Sequence, residues 1–212
     1  DNDTKLQIQQ EVDKIKKKSI SITYEDINKL KYFLEIMNIP HLKRNMEADL
    51  VCSKLSQLGL VDFVISEDMD HLTSGTSILL RDFNNKNNMV TSFNSDIAIA
   101  ELGLNREKWI ELCILFGCDY VSRIRGVGYK SSYKYIMQNK NEEISTIIKQ
   151  IEIAKKNAVP DNYLEKVLNA KTIFLNNVDI QVDENSIFNT TLYDNQVEVA
   201  RNYLTKYSNI SP

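Results

Sequence analysis

The β-branched run Val61-Asp62-Phe63-Val64-Ile65 stops abruptly at Ser66-Glu67-Asp68-Met69-Asp70. The stretch before it reads as a helix from about Asn45 to Leu58. Asn45 is the expected N-cap, Val51, Leu55 and Leu58 the buried stripe, and Gly59 the stop. A helix, a glycine turn and a buried strand form the αβ half of a parallel unit. Ile78-Leu79-Leu80-Arg81-Asp82-Phe83 reads as a second strand and residues 84–88 as a loop. From Ser95 the pattern turns helical. Ser95 is the expected cap of a short helix ending near Gly103. Asn105 opens another, with Trp109, Leu112, Cys113 and Phe116 on one face, ending at Gly117. A helix is expected to start near Tyr129, and a turn at Pro160. The expected fold class is α/β: a parallel sheet flanked by helices to about residue 103, followed by a helical region.

The N-terminal part is more polar. Residues 1–18 read as a helix with a thin stripe of Leu6, Val12 and Ile15, ending in Lys14-Ile15-Lys16-Lys17-Lys18. It is either a solvated face or an element turned toward phosphates. Thr23 with Asp26 resembles a capping box for a helix carrying Ile27, Leu30, Leu34 and Met37. Pro40 limits that helix, and a short extended piece is expected at Ile39–Leu42.

With 42% apolar and 26% charged residues, six Gly and three Pro, the 212-residue chain has a globular composition. No apolar run approaches a membrane span, and Asp1-Asn2-Asp3-Thr4-Lys5 is no secretory signal. Three cysteines without a CxxC pair suggest neither a disulfide framework nor zinc, and a reducing intracellular location is expected. A formal charge of −3 excludes a uniformly basic surface but leaves room for a local basic patch. The chain opens without Met in a polar run, as an internal piece of a longer protein would.

The carboxylates fall at the ends of elements. Glu47 and Asp49 lie in a first helical turn, Asp68 and Asp70 directly after a strand, and Asp119 after a helix end. Each has a plain alternative as a dipole complement, a cap or a turn residue. Ligands of open parallel sheets bind outside the carboxyl ends of strands, where Asp68 and Asp70 are expected. Residues i and i+2 of a helix point about 200° apart. Glu47 and Asp49 can therefore share a site only if the helix begins between them. Oxygen donors without His or Cys favour Mg²⁺ or Mn²⁺ over zinc, and two such ions suit displacement at phosphorus.

Ile124-Arg125-Gly126-Val127-Gly128-Tyr129-Lys130 reads as a hairpin between helices. Its glycines permit close backbone approach, and the helix start beyond it favours an anion. Arg123, Arg125, Lys130 and Lys134 surround it with positive charge. The expectation is contact with duplex phosphates, which position DNA without reading its sequence. A plain glycine turn is the alternative.

These stretches resemble the flap endonuclease branch of the structure-specific 5′ nucleases. The matching strings are Met37-Asn38-Ile39-Pro40, Met46-Glu47-Ala48-Asp49, Ser66-Glu67-Asp68-Met69-Asp70-His71-Leu72-Thr73-Ser74-Gly75, Glu101-Leu102-Gly103-Leu104-Asn105, Leu112-Cys113-Ile114-Leu115-Phe116-Gly117-Cys118-Asp119-Tyr120 and Ile124-Arg125-Gly126-Val127-Gly128. Val159-Pro160-Asp161-Asn162-Tyr163 looks like a later family segment. The resemblance implies a metal-dependent hydrolase that cuts DNA bearing a 5′ single-stranded flap, in replication and repair. It implies Glu47, Asp49, Asp68, Asp70 and Asp119 as ligands of two Mg²⁺ ions, replaceable by Mn²⁺. It sets Glu47, Gly117 and Asp119 against the substrate. It makes the hairpin, with Arg123, Arg125, Gly126, Gly128, Lys130 and Lys134, the helix–two-turn–helix DNA contact, with K⁺ as an optional ion there. By the same resemblance residues 1–22 are the returning part of a helical arch. Residues 23–103 are the internal nuclease region, 104–140 the helix–two-turn–helix region and 141–212 a C-terminal helical region.

The chain departs from the family pattern. The family's N-terminal part, with a first strand and two more aspartates, has no counterpart, so this chain alone is expected to be inactive if the ligand set is incomplete. Asp49 stands where Glu is usual, and Tyr129 where the hairpin usually has Pro, which would loosen the turn. No C-terminal sliding-clamp motif is present. The expected state is a monomer on flap or junction DNA, without a membrane, in the nucleus of a eukaryote or otherwise in the cytoplasm or a viral replication compartment. The competing functions are a DNA-structure-binding protein that no longer cuts, an exonuclease-type member of the superfamily, and a small interaction domain whose acids are only caps. His41 and His71 read as structural or surface residues, and Trp109 as core.

Overall fold

The computed structural model describes residues 21–42, 45–84, 86–156, 158–175 and 196–207. The chain divides into two compact units: Arg44–Gln181, and Asp1–Lys43 with Val182–Pro212. The expected helix at 1–18 lies outside the described residues.

In the smaller unit α1 spans Tyr24–Ile36. Thr23 caps it as the sequence suggests. Its hydroxyl accepts the Asp26 N–H at 3.2 Å, and its own N–H donates to Asp26 Oδ2 at 2.9 Å. Asn38 turns left-handed at φ 52°, and Ile39–Leu42 form no strand, because no described strand lies alongside to pair with them. Tyr203, from the helix Gln196–Tyr207, packs its ring on Tyr32 and Phe33 at centroid distances of 5.3 and 6.1 Å.

The larger unit carries the site. Helix α2 spans Ala48–Gln57, β1 Val64–Ile65, α3 Asp70–Ser74, β2 Ile78–Asn84, β3 Met89–Asn94, α4 Ser95–Leu102, α5 Arg106–Phe116, α6 Tyr129–Gln138, α7 Ile144–Ala154 and α8 Tyr163–Leu175. The sheet order is β1-β2-β3. β1 runs parallel to β2, with Val64 opposite Leu79 and Ile65 opposite Leu80. The αβ unit inferred from residues 45–65 is therefore present. β3 adds an antiparallel edge, Ile78 opposite Asn94, so the sheet is mixed.

Several boundaries differ from the sequence reading. Helix α2 starts three residues after Asn45, with Glu47 as its extended N-cap, φ −60° and ψ 131°. The buried face of α2 holds Val51, Ser53 and Ser56, while Leu58 sits beyond the last turn and is exposed. The strand expected at 61–65 shortens to two residues, since β1 has one pairing partner and only Val64 is buried. Ser95 is not a cap. Asn94 accepts the Ile97 N–H at 2.9 Å, and the buried Ser95 hydroxyl donates to Thr76 O at 2.7 Å. Asn105 does cap α5, accepting the Lys108 N–H at 2.8 Å.

Two apolar clusters hold the unit together. A small one joins Val64, Leu72 and Leu79 beneath the sheet, with Trp109 packed against it. The larger gathers α5 to α8 around Ile110, Leu112, Ile114, Leu115, Ile136, Ile147, Val167 and Phe174. Helix α5 runs through the centre and buries Lys108, Ile110, Glu111, Leu112, Ile114 and Leu115, with Trp109, Cys113 and Phe116 only partly buried. No described helix is long and apolar enough to cross a membrane.

Candidate active site

The carboxylates arrive on three chain segments. Helix α2 begins between Glu47 and Asp49, so Glu47 departs from the helix while Asp49 points from its first turn. Glu47 does not cap. Its Oε2 accepts the Tyr120 hydroxyl at 2.7 Å instead, tying the N-terminus of α2 to the loop after α5. Asp49 Oδ1 lies 3.3 Å from Nε2 of the buried His71. Asp68 leaves β1 in a small self-bonded turn: its N–H donates to Ser66 Oγ at 3.1 Å, and its Oδ1 accepts the Asp70 N–H at 2.8 Å.

Asp119 is set by Gly117. That glycine takes φ 94° and ψ 135°, a backbone state closed to ordinary L-residues. A Cβ there would also stand 2.6 Å from Arg123 Cγ. The next residues form a tight loop in which Cys118 N donates to Val121 O at 3.0 Å and Val121 N to Cys118 O at 3.2 Å. Val121, Ile124 and Val127 are buried and anchor this loop and the hairpin to the helical core. Asp119 is left exposed, with its backbone N–H turned to the Asp70 carboxylate.

Electrostatics tie the segments into one neighbourhood. Half-burial pushes the Asp70 carboxyl up to about 6. The Asp68 charge adds to this, the Asp119 N–H opposes it, and the charges of Asp119 and Asp49 raise it further. Tyr120 is held well above the usual phenol range, first by desolvation and then by its bond to Glu47 and the charges of Glu47, Asp70 and Asp119. Asp70 thus feels the charges of Asp68, Asp119 and Asp49, and Tyr120 those of Glu47, Asp70 and Asp119. Among the described residues, however, no group of three or more His, Cys, Asp and Glu side chains stands ready to coordinate an ion. The chemistry of the donor set still fits a hard divalent cation: carboxylate oxygens, with one carboxyl that half-burial and its acidic neighbours keep from ionising readily.

The Asp70 shift has a measurable sign. Folded Asp70 keeps its proton to about pH 6, against a usual value of 3.8. The folded state therefore binds more protons between those values, and stability present at low pH is lost as pH rises toward 6. Asp70→Asn should melt higher than wild type in EDTA at pH 7.5, and the difference should vanish near pH 4. Thermal melts at the two pH values check this; an equal or lower Tm at pH 7.5 would contradict it.

The hairpin lies beside the acids. Gly126 takes φ 75°, Val127 N donates to Ile124 O at 3.0 Å, and Gly128 is the N-cap of α6 without a side-chain cap. The first N–H groups of α6 thus face outward among the exposed Arg123, Arg125, Lys130 and Lys134. One open groove of about 930 Å³ is lined by Gly117, Asp119, Arg123, Arg125, Gly126 and Gly128 among others.

Three side chains escaped the sequence reading: Tyr120 as partner of Glu47, His71 as neighbour of Asp49, and Ser53 behind it. His71 directly follows Asp70, the one cue available. Trp109 is partly buried, as expected, and donates from Nε1 to Leu72 O at 3.1 Å. The three cysteines are unpaired. Burial holds Cys113 up at about 11 and raises Cys52 and Cys118, so none favours a reactive thiolate.

The XPG I-region family model matches residues 38–119, a span that takes in Glu47 and ends on Asp119. A flap endonuclease 1 from Aedes aegypti is 36% identical over 166 residues, covering 77% of this chain and 43% of that protein. One from Caenorhabditis elegans is 37% identical over 169 residues, covering 78% and 43%. This chain belongs to the flap endonuclease family. It spans less than half the length of those curated relatives. The catalytic core of Rad2 in complex with a DNA substrate shares the fold, with TM-score 0.67 at 20% identity over 90% of this chain and 67% of that one. So does the Holliday junction-resolving enzyme GEN1 with product DNA, Mg²⁺ and Mn²⁺, at TM-score 0.54, 20% identity, and coverage of 86% and 46%. A potassium-bound GEN-1 gives TM-score 0.64 at 21% identity, covering 87% and 53%.

One departure from the flap endonuclease pattern has a structural outcome. Tyr129 replaces the expected Pro at the first position of α6, where a missing N–H costs nothing. The helix begins at Tyr129, with Ser132 N donating to Gly128 O at 2.9 Å.

Proposed function

We propose that the protein carrying this chain is a metal-dependent, structure-specific endonuclease that hydrolyses DNA at a 5′ flap, in replication and repair. The observation that carries this reading is the groove that Asp119 lines together with the cationic glycine hairpin, with the Asp119 N–H turned to the Asp70 carboxylate. A binding-only site gains nothing from five acids beside phosphates, which they repel.

Glu47, Asp49, Asp68, Asp70 and Asp119 would hold the divalent cations. When bound, Mg²⁺ or Mn²⁺ supplies an activated water and neutralises charge on the scissile phosphate. The chain's own residues arrange the rest. Tyr120 fixes Glu47, the Asp68 turn fixes the backbone of Asp70, and Gly117 sets Asp119 at the mouth of the groove. The N–H groups at the start of α6, with Arg123, Arg125, Lys130 and Lys134, grip duplex phosphates and fix the distance from the duplex to the acids. The carbonyls of the hairpin suit a K⁺ ion in the same grip. The protein acts as a monomer, where DNA is copied and repaired.

The lack of a ready coordination sphere among the described residues favours a second reading, in which the scaffold binds junctions without cutting. One experiment separates them. The complete protein is given a 5′-flap duplex with Mg²⁺ and with EDTA. Release of the flap only with Mg²⁺ supports the proposal; binding without cleavage in both supports the alternative.

A further inference from the structure

The polar interior behind Asp49 has no counterpart in the function outlined above. His71 is 2% exposed and flanked by polar groups on both ring nitrogens. Nδ1 lies 3.1 Å from Ser53 Oγ, and Nε2 lies 3.3 Å from Asp49 Oδ1. Ser53 and Thr76 are fully buried, and Thr76 Oγ1 donates to Ser53 Oγ at 3.1 Å. Thr76 is itself fixed, since its carbonyl accepts the buried Ser95 hydroxyl at 2.7 Å and its N–H donates to His71 O at 3.0 Å.

Following the protons gives a direction. Ser53 accepts from Thr76, so its single hydroxyl proton is free to donate to Nδ1 of His71. With Nδ1 as the acceptor of that proton, a neutral ring carries its own on Nε2, 3.3 Å from Asp49 Oδ1. A buried chain of hydroxyls thus selects the tautomer of an imidazole that faces a carboxylate at the rim of the site. The carboxylate itself is 56% exposed.

We infer that His71 is a positioning residue for Asp49: the Thr76–Ser53 pair holds its imidazole as the Nε2–H tautomer, which fixes the carboxylate for a divalent cation. The inference rests on the proposed metal-holding role of the acids. It assigns His71 no contact with substrate or metal. Buried partners that orient a ligand in this way commonly change metal affinity by about 10- to 100-fold when removed.

The test uses the 212-residue chain, which contains only two histidines, so imidazole signals are simple to assign. Long-range ¹H–¹⁵N spectra should show His71 as the Nε2–H tautomer, and Ser53→Ala should release it into a mixture. Mn²⁺ binding, followed by electron paramagnetic resonance, should weaken roughly tenfold in His71→Leu. His71→Gln, whose amide N–H can replace Nε2–H, should restore affinity to within about threefold of wild type. Melting curves of both variants confirm that they fold. Asp68→Asn serves as the control for the underlying reading. If it binds Mn²⁺ as well as wild type does, the metal-holding role of the acids fails. If it loses Mn²⁺ while His71→Leu keeps it, only the inference about His71 fails. An Nδ1–H tautomer in the wild-type spectrum overturns that inference whatever the affinities are.

Discussion

In the complete protein, Asp68→Asn and Asp119→Asn should each lower Mg²⁺-dependent flap cleavage by roughly 10³-fold, with flap-DNA affinity changed only a few-fold. The size follows from the several kcal/mol of charge stabilisation that a metal centre provides, at 1.36 kcal/mol per tenfold in rate. The selectivity follows from position. Both residues are exposed, so neither supports the core. Asparagine at 68 keeps an oxygen for the Asp70 N–H that Asp68 Oδ1 accepts at 2.8 Å, so the turn after β1 survives. The grip on DNA comes from the hairpin, anchored separately by Val121, Ile124 and Val127. Removing a negative charge from the groove can only reduce repulsion of phosphates. Single-turnover cleavage and fluorescence anisotropy on the same flap substrate separate the two effects. Near wild-type cleavage in both variants would remove these residues from the chemistry.

The second large effect concerns stability. Glu111 is 1% exposed in the middle of α5. Its Oε2 receives Lys108 Nζ at 2.6 Å, and its Oε1 receives Lys171 Nζ from α8 at 2.8 Å. Lys108 also donates to Glu142 O, fastening the chain ahead of α7. Burial works against the Lys171 charge, yet its bonds to Glu111 and Glu107 hold its pKa above the usual value. Glu111→Ala strands the buried Lys108 ammonium and should cost about 3–5 kcal/mol. At about 2–4 °C per kcal/mol for a chain of this size, Tm should fall by about 10 °C. Glu107→Ala is the control. Glu107 pairs with the same Lys171 at 2.9 Å, but its side chain is 61% exposed, so about 1 kcal/mol or less is expected. Equal melting temperatures for Glu111→Ala and wild type would show that the pair adds nothing to the fold.

The contrast between these two sites explains what the sequence could reveal. Capping chemistry is local, so Thr23 with Asp26 and Asn105 with Lys108 were legible from spacing alone. The acids were legible for a related reason, because each cluster stands where an element ends. That Glu47 and Asp49 can face one site at all turns on one backbone detail, the start of α2 between them. Long-range partners left no local trace. Tyr120 meets Glu47 across 73 positions, and Lys171 meets Glu111 across 60. Helix α5 misled the periodicity argument because the buried Ile110, Glu111, Ile114 and Leu115 lie outside the expected stripe, while Trp109, Cys113 and Phe116 are only partly buried. Strand β3 was missed because most of it is exposed on both faces, so Met89–Asn94 shows no clean inside–outside alternation. Asn45 and Ser95 are good capping residues that the chain does not use as caps. In each case a tertiary bond decides: Tyr120 to Glu47 in one, Ser95 to Thr76 in the other.

The central claim is that acids from three chain segments share divalent cations beside the hairpin groove. Crystals of the complete protein soaked in Mn²⁺ test it through anomalous scattering. The account predicts anomalous peaks within coordination distance, roughly 2.0–2.4 Å, of carboxylate oxygens that include Asp68, Asp70 and Asp119. Peaks at other residues, or none in this neighbourhood at saturating Mn²⁺, would contradict it.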